Sequence, residues 1–335
     1  MKFFKILFSL LIMTGSLISV SSHSWFGMWI GLEINLLSII PLMNNTNNLM
    51  SSEATLKYFI TQALASTILL FSIIFISYKI PFMWNNNLII LMMNSSLLTK
   101  MGAAPFHFWF PEVMEGLKWL MCLILLTWQK IAPMILIIYN INYPKFFSII
   151  ILISMLVSGI IGLNQISLRK ILAYSSINHI AWMLGAMFYN ETIWFTYFFI
   201  YVVISINIIL IFYALNIFFI KQLLMKLNFN STFKLFFSLN FLSLGGLPPF
   251  IGFLPKWITI QGLIMKNFYI LSMSMVILTL MTLFYYIRLM FSSILLTMNE
   301  VNYQINTKFN NQWIILNNYF NILSLMFCTI LFNLI

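Results

Sequence analysis

Apolar runs long enough to cross a bilayer follow one another along almost the whole of this chain of 335 residues. A helix needs about 20 apolar residues to span the hydrocarbon core. That solvent offers the backbone no hydrogen-bond partners, so spanning segments must satisfy themselves as helices or closed barrels. The runs therefore predict an all-α polytopic membrane protein. Charge agrees: 62% of residues are hydrophobic and only 7% are charged, too few to coat a soluble domain of this size.

Polar and turn-forming clusters such as Asn44-Asn45-Thr46-Asn47-Asn48, Lys79-Ile80-Pro81 and Asn164-Gln165 punctuate the runs. They mark about eleven spans, centred on 3–20, 25–43, 54–77, 84–104, 117–139, 147–163, 169–188, 193–219, 236–264, 269–296 and 318–334. The first run follows Lys2 and Lys5; it is too long for a signal-peptide core and reads as a retained helix. Segment 299–317 carries scattered polar residues and Trp313, and reads as interfacial.

One span holds a lysine and then breaks: Lys100-Met101-Gly102-Ala103-Ala104-Pro105-Phe106-His107-Phe108-Trp109-Phe110-Pro111-Glu112. Proline removes a backbone donor and crowds the preceding turn, so a helix through Pro105 must kink or stop. Broken backbone at membrane depth is tolerated only where protein or a wet cavity surrounds it. The pattern returns at Gly246-Leu247-Pro248-Pro249-Phe250-Ile251-Gly252-Phe253-Leu254-Pro255, which can be laid directly on Gly102 to Pro111. Lys256 follows this second break, whereas Lys100 precedes the first. Two plain kinks are the bland reading. Paired interrupted segments in two halves of a membrane protein point instead to a transport pathway.

The breaks, about 84–110 and about 236–264, fall in the fourth and ninth expected spans. An odd shift of spans reverses direction in the membrane, which predicts two inverted five-helix repeats over 1–140 and 141–298. Residues 299–335 then hold the interfacial segment and one last helix. Cations test the count. On this plan the N-terminal side holds Lys2, Lys5, Lys57, Lys118, Arg169, Lys170, Lys221, Lys226, Lys234 and Lys308, and the other side only Lys79, Lys145 and Lys266. The excess places the N-terminus on the electronegative side. This scatter of one or two lysines per connection accounts for the net charge of +11 and argues against nucleic-acid binding.

A charged side chain inside a span is a functional hypothesis by default. Glu33 lies mid-span with no charged neighbour in its segment, and Lys100 is its expected partner. Lys130 has apolar residues on both sides, too far from either surface to snorkel easily. His179 lies among Tyr174, Ser175 and Asn178 at neighbouring helical positions, and histidine can relay protons near neutral pH. Glu33, Lys100, Lys130, His179 and Lys256 form the expected proton-bearing series. A structural ion pair for Glu33, a packing role for His179 and snorkelling lysines are the alternatives. His107 reads as structural, His23 as a loop residue, and Glu112, Glu115 and Glu191 as solvated span ends. Cys122 and Cys328 lack metal or redox spacing. No dinucleotide fingerprint, phosphate loop, metal constellation or catalytic triad is present in the sequence.

The segments from Lys100 to Trp109 and Pro111-Glu112-Val113, with Leu172-Ala173-Tyr174-Ser175-Ser176-Ile177 and Gly246-Leu247-Pro248-Pro249-Phe250, resemble the antiporter-like membrane subunits of respiratory complex I. The resemblance covers essentially the whole chain. It implies inverted repeats with lysine-bearing broken helices, and a glutamate–lysine pair at Glu33 and Lys100. The family's central lysine would fall on Lys130, its connecting histidine on His179 and its second broken-helix lysine on Lys256. Animal members lack initial helices present in longer relatives. A lack of aspartate and an abundance of residues with AT-rich codons fit an organelle genome. The implied setting is the mitochondrial inner membrane, multi-pass, with the N-terminus in the matrix and the C-terminus in the intermembrane space. Implied partners are other membrane-arm subunits and membrane lipids, cardiolipin being a candidate. NADH, FMN, iron–sulfur clusters and ubiquinone would sit on other subunits, leaving this chain without a cofactor and not catalytic when isolated. Two alternatives remain open: a subunit of a cation/proton antiporter complex, and a non-conducting scaffold of the membrane arm.

Overall fold

The computed structural model describes residues 2–45, 48–78, 86–227, 231–248 and 250–295. Pro249 of the second break, the segment 299–317 and the expected span 318–334 lie outside the described residues. The described elements, in chain order, are α1 (Lys2–Ser21), α2 (Trp25–Met43), α3 (Leu49–Tyr78), α4 (Asn86–Met101), α5 (Trp109–Gly116), α6 (Trp119–Leu126) and α7 (Trp128–Ile138), then α8 (Pro144–Leu163), α9 (Leu168–Met187), α10 (Glu191–Leu215), α11 (Ile220–Leu227), α12 (Ser231–Gly245), α13 (Phe253–Met265) and α14 (Tyr269–Leu295). No strand occurs among the described residues, although Ser167 and Phe219 form an isolated antiparallel bridge. Seven stretches among them are long and apolar enough to cross a membrane: α1, α2, α3, α6 with α7, α8, α10 and α14.

The apolar runs become helices because each peptide group then finds its partner within its own segment. Hydroxyls inside the runs follow the same logic. Ser19, Ser38, Ser72, Ser96 and Ser154 each donate to the carbonyl three residues earlier, so these hydroxyls are satisfied within their own helices. Ends are capped locally: Ser24 accepts from the Gly27 N–H at the start of α2, and Asn216 closes α10 in the left-handed region at φ 48°.

The chain divides into two compact units, Met1–Phe147 and Ser148–Ile335. In the first, α1 lies against α2 so closely that a Cβ on Gly31 would meet the Ser19 nitrogen at 2.5 Å and the Gly15 oxygen at 2.8 Å. Small residues permit such close approach, the usual basis of helix association in lipid. α3 packs on α2, α4 and α5, and α4 packs on α7. In the second unit α9 is central, buried along nearly all its length and packed against α10, α13 and α14.

The expected span 117–139 is interrupted. Thr127, at φ −113° and ψ −73°, separates α6 from α7. Its hydroxyl donates to the Leu123 carbonyl at 2.8 Å, the back-bonding that bends helices, and Pro133 has no N–H to give the Gln129 carbonyl.

Both sequence breaks end a helix in the same way. In the first, Gly102 N bonds Leu98 O and Thr99 O, and Ala103 N bonds Leu98 O. In the second, Gly246 N bonds Leu242 O and Ser243 O, and Leu247 N bonds Leu242 O. Beyond them, Phe106 N to Ala103 O and Phe110 N to His107 O correspond to Phe250 N to Leu247 O and Leu254 N to Ile251 O. Gly102 and Gly246 have φ values of 75° and 79°, a left-handed closure that glycine adopts without strain. At neighbouring Gly245, by contrast, an added Cβ would find nothing nearer than 3.7 Å, whereas at Gly246 it would meet the Lys256 side chain at 2.7 Å. Gly246→Ala should therefore destabilise the assembled protein by at least the left-handed penalty of about 1–2 kcal/mol, with Gly245→Ala close to neutral. Heat inactivation of the two variants, compared on native gels, measures the difference; equal tolerance would refute this account of the break.

Candidate functional site

In the first unit the break sets Lys100 in the last turn of α4. Its side chain lines a small cavity with Asn35 of α2, Tyr58 and Gln62 of α3, and Gln129 and Pro133 of α7. The cavity volume is about 20 Å³, just above the roughly 10–15 Å³ that one water requires. Gln129 Nε2 donates to Asn35 Oδ1 at 2.8 Å, and Gln62 Nε2 donates to the Lys100 carbonyl at 3.4 Å. Glu33 is the carboxylate coupled electrostatically to Lys100, without a direct ion pair between them. The expected pair is thus an interaction at a distance.

Lys130 stands in the first turn of α7, directly after the Thr127 interruption, with its ammonium 5.3 Å from the centre of the Phe110 ring. A cation over an aromatic face gains electrostatic attraction in a site where water is scarce. His107 is buried within the break, its ring centre 4.4 Å from that of Phe108. Glu112 is half-exposed and pairs with Lys57 at 2.7 Å, and Glu53 joins the same lysine at 2.8 Å. Pairs this exposed contribute little to stability.

In the second unit Lys256 stands in the first turn of α13 and reaches back across the break. Its ammonium donates to Gly245 O at 2.8 Å and Leu244 O at 3.2 Å, and lies 5.9 Å from the Trp182 ring centre. A cation at a helix C-terminus satisfies freed carbonyls and meets the negative end of the helix dipole. Lys100, Lys130 and Lys256 are only 8%, 2% and 7% exposed, and each adjoins a helix interruption.

Polar residues of α9 around His179 find partners on α10 and α14. His179 Nδ1 and Tyr197 Oη lie 2.9 Å apart, and Asn178 Nδ2 donates to Thr282 Oγ1 at 3.2 Å. Tyr285 donates to Tyr286 at 3.4 Å, the Tyr201 ring lies 5.0 Å from the His179 ring, and Ser175 and Ser176 are buried on α9. Both serines donate their own protons to backbone carbonyls, those of Leu172 and Ala173. Those hydroxyls end on the backbone and serve as anchors. The His179–Tyr197 contact is different in kind. It joins a titratable ring to a hydroxyl that can donate to the neutral ring or accept from the charged one.

Asn35, Gln62, Gln129 and the four tyrosines were not singled out by the sequence. Amides inside apolar runs were the available signal for the first three. Among the described residues no cluster of His, Cys, Asp or Glu could hold a metal ion.

Residues 22–282 match the family model described as NADH:quinone oxidoreductase/Mrp antiporter, transmembrane. The NADH-ubiquinone oxidoreductase chain 2 of Anopheles gambiae is 50% identical over 95% of this chain and 94% of its own length. That of Mus musculus is 42% identical over 84% of each. Among solved structures, a chain of respiratory complex I from Thermus thermophilus superposes with a TM-score of 0.86 at 22% identity, covering 96% of this chain and 78% of that one. A chain of the Mrp complex from Dietzia gives 0.76 at 18% identity, over 87% and 60%. These two likenesses concern the fold.

The cavity wall itself is testable. Asn35→Leu leaves the Gln129 amide without its partner, a loss of about 1–3 kcal/mol for a buried polar group. Removing both partners as Asn35→Leu with Gln129→Leu should recover part of that loss. Heat inactivation of the single and double variants reads this out. A double variant no more stable than Asn35→Leu alone would contradict the pairing.

Proposed function

The chain belongs to the NADH:quinone oxidoreductase/Mrp antiporter membrane family, and from that premise we propose how it moves protons. It is a membrane-arm subunit of the proton-translocating NADH:ubiquinone oxidoreductase of mitochondria. Its part is translocation. The observation that carries the reading is the placement of three buried lysines beside three helix interruptions. In our reading Lys100, Lys130 and Lys256 take up and release protons, the charge of Glu33 biases Lys100, and His179 relays protons beside Tyr197. Desolvation makes a lysine able to change protonation within a working cycle, and the polar walls offer the transient hydration that transfer needs.

The finer architecture belongs to the same reading. About eleven spans form two inverted five-helix repeats and a last helix, with the N-terminus in the matrix and the C-terminus in the intermembrane space. Neighbouring membrane-arm subunits and lipids, cardiolipin included, surround it. NADH, FMN, iron–sulfur clusters and ubiquinone are held by other subunits. A role in a separate cation/proton antiporter complex is less well supported, because half-identical relatives over nearly the full length are oxidoreductase chains. A scaffold that conducts nothing leaves Lys100 and Lys130 without a task, since a charge at the centre of a span costs about 2.5–3.5 kcal/mol.

The test uses the intact complex in sealed vesicles, with NADH oxidation and proton uptake recorded together after assembly is confirmed on native gels. Lys130→Met and Glu33→Gln should assemble, and coupled turnover or the proton-to-electron ratio should fall severalfold. Unchanged rates and an unchanged ratio would favour the scaffold.

A further inference from the structure

The two breaks expose the same set of groups and satisfy them with different chemistry. A helix leaves its last four carbonyls without intrahelical partners, and inside a membrane each needs another donor. For α4 these are the carbonyls of Leu98, Thr99, Lys100 and Met101; for α12 they are those of Leu242, Ser243, Leu244 and Gly245. Leu98 and Leu242 are met by the backbone N–H groups of the glycine closure. Thr99 receives the Trp109 indole N–H at 3.1 Å as well as Gly102 N. Ser243 receives Gly246 N, and Gly252 lies so close to it that a Cβ there would fall 1.7 Å from the carbonyl oxygen.

The next carbonyl separates the two ends. Lys100 and Leu244 hold the same position relative to the glycine. Leu244 O is bonded by the Lys256 ammonium, which also takes Gly245 O. Lys100 O is bonded by the Gln62 amide, from a buried side chain of α3 that also forms part of the cavity wall. The second break is therefore closed by a charge and the first by a neutral group. A deprotonated Lys256 retains fewer donors and loses its attraction to the α12 dipole. No such bond joins the Lys100 ammonium to the end of α4, and Lys100 lines the cavity with Asn35, Tyr58, Gln62 and Gln129.

We propose that Gln62 is a positioning residue, the neutral counterpart of Lys256, which caps α4 so that Lys100 can gain and lose a proton without opening the break. The proposal rests on the proton-pathway reading above. Gln62 touches no transferred proton; it acts by keeping a donor on the Lys100 carbonyl and by keeping the cavity free of a second cation.

Four variants of the intact complex in sealed vesicles test it at pH 8, with assembly on native gels and the proton-to-electron ratio as readouts. Gln62→Met has the length of glutamine and no donor. Gln62→His places a ring nitrogen the same number of bonds from Cα and is neutral at that pH. Gln62→Lys copies the second break. Lys100→Met is the control. We expect Gln62→Met to assemble poorly or to lose at least half of the wild-type ratio, and Gln62→His to restore both. Gln62→Lys should restore assembly, yet keep a ratio severalfold below wild type because two ammonium groups then share the cavity. A wild-type ratio in Gln62→Met or Gln62→Lys, while Lys100→Met lowers it, overturns the proposal alone. A wild-type ratio in Lys100→Met overturns the proton-pathway reading beneath it. Failure of Gln62→His to assemble also contradicts the proposal, since a neutral donor at that position should suffice.

Discussion

A helix that stops inside a membrane leaves carbonyl groups with no water to turn to, and much of this structure answers that one problem. At each break the left-handed glycine and the residue after it each supply one N–H group. Trp109, Gln62 and Lys256 supply the donors the backbone cannot. Once such donors are gathered, the surroundings are polar enough to hold charge, and the lysines occupy that space. Structure and chemistry share one cause here: the interruption that costs a helix its last hydrogen bonds is also what makes an ammonium group tolerable at depth.

The two units treat the same local geometry differently. In the first, the cation and the cap are separate side chains on separate helices, Lys100 on α4 and Gln62 on α3. In the second, one side chain serves as both, with Lys256 on α13 holding the end of α12. Protonation of Lys256 is thus tied to the integrity of a helix end. His179 adds a further mode, a titratable ring 2.9 Å from the Tyr197 hydroxyl, beside serines whose hydroxyls are committed to backbone carbonyls.

Much of the architecture was legible before any coordinates. Apolar run length places most helices within a few residues, because membrane spans answer to one dominant requirement. The breaks were legible because glycine and proline act through the backbone, and the lysines because a charge in an apolar run has few explanations. The cavity was not. Asn35, Gln62 and Gln129 come from three separate helices, and nothing local tells an amide that lines a cavity from one that bonds its own turn. Tyr197, Tyr201, Tyr285 and Tyr286 were invisible for a similar reason, since tyrosine serves equally as an interfacial anchor. The Thr127 interruption escaped because a single threonine between apolar residues gives no signal until its hydroxyl is seen on the Leu123 carbonyl.

The central claim is that a broken helix creates a hydrated polar site around Lys100 inside an otherwise dry bundle. A density map of the intact complex that resolves ordered waters tests it most directly. The account predicts a water in the cavity of Asn35, Tyr58, Gln62 and Gln129, within hydrogen-bond distance of the Lys100 ammonium, and Gln62 on the Lys100 carbonyl. A dry cavity, or a Lys100 ammonium folded onto a backbone carbonyl as Lys256 is, would contradict it.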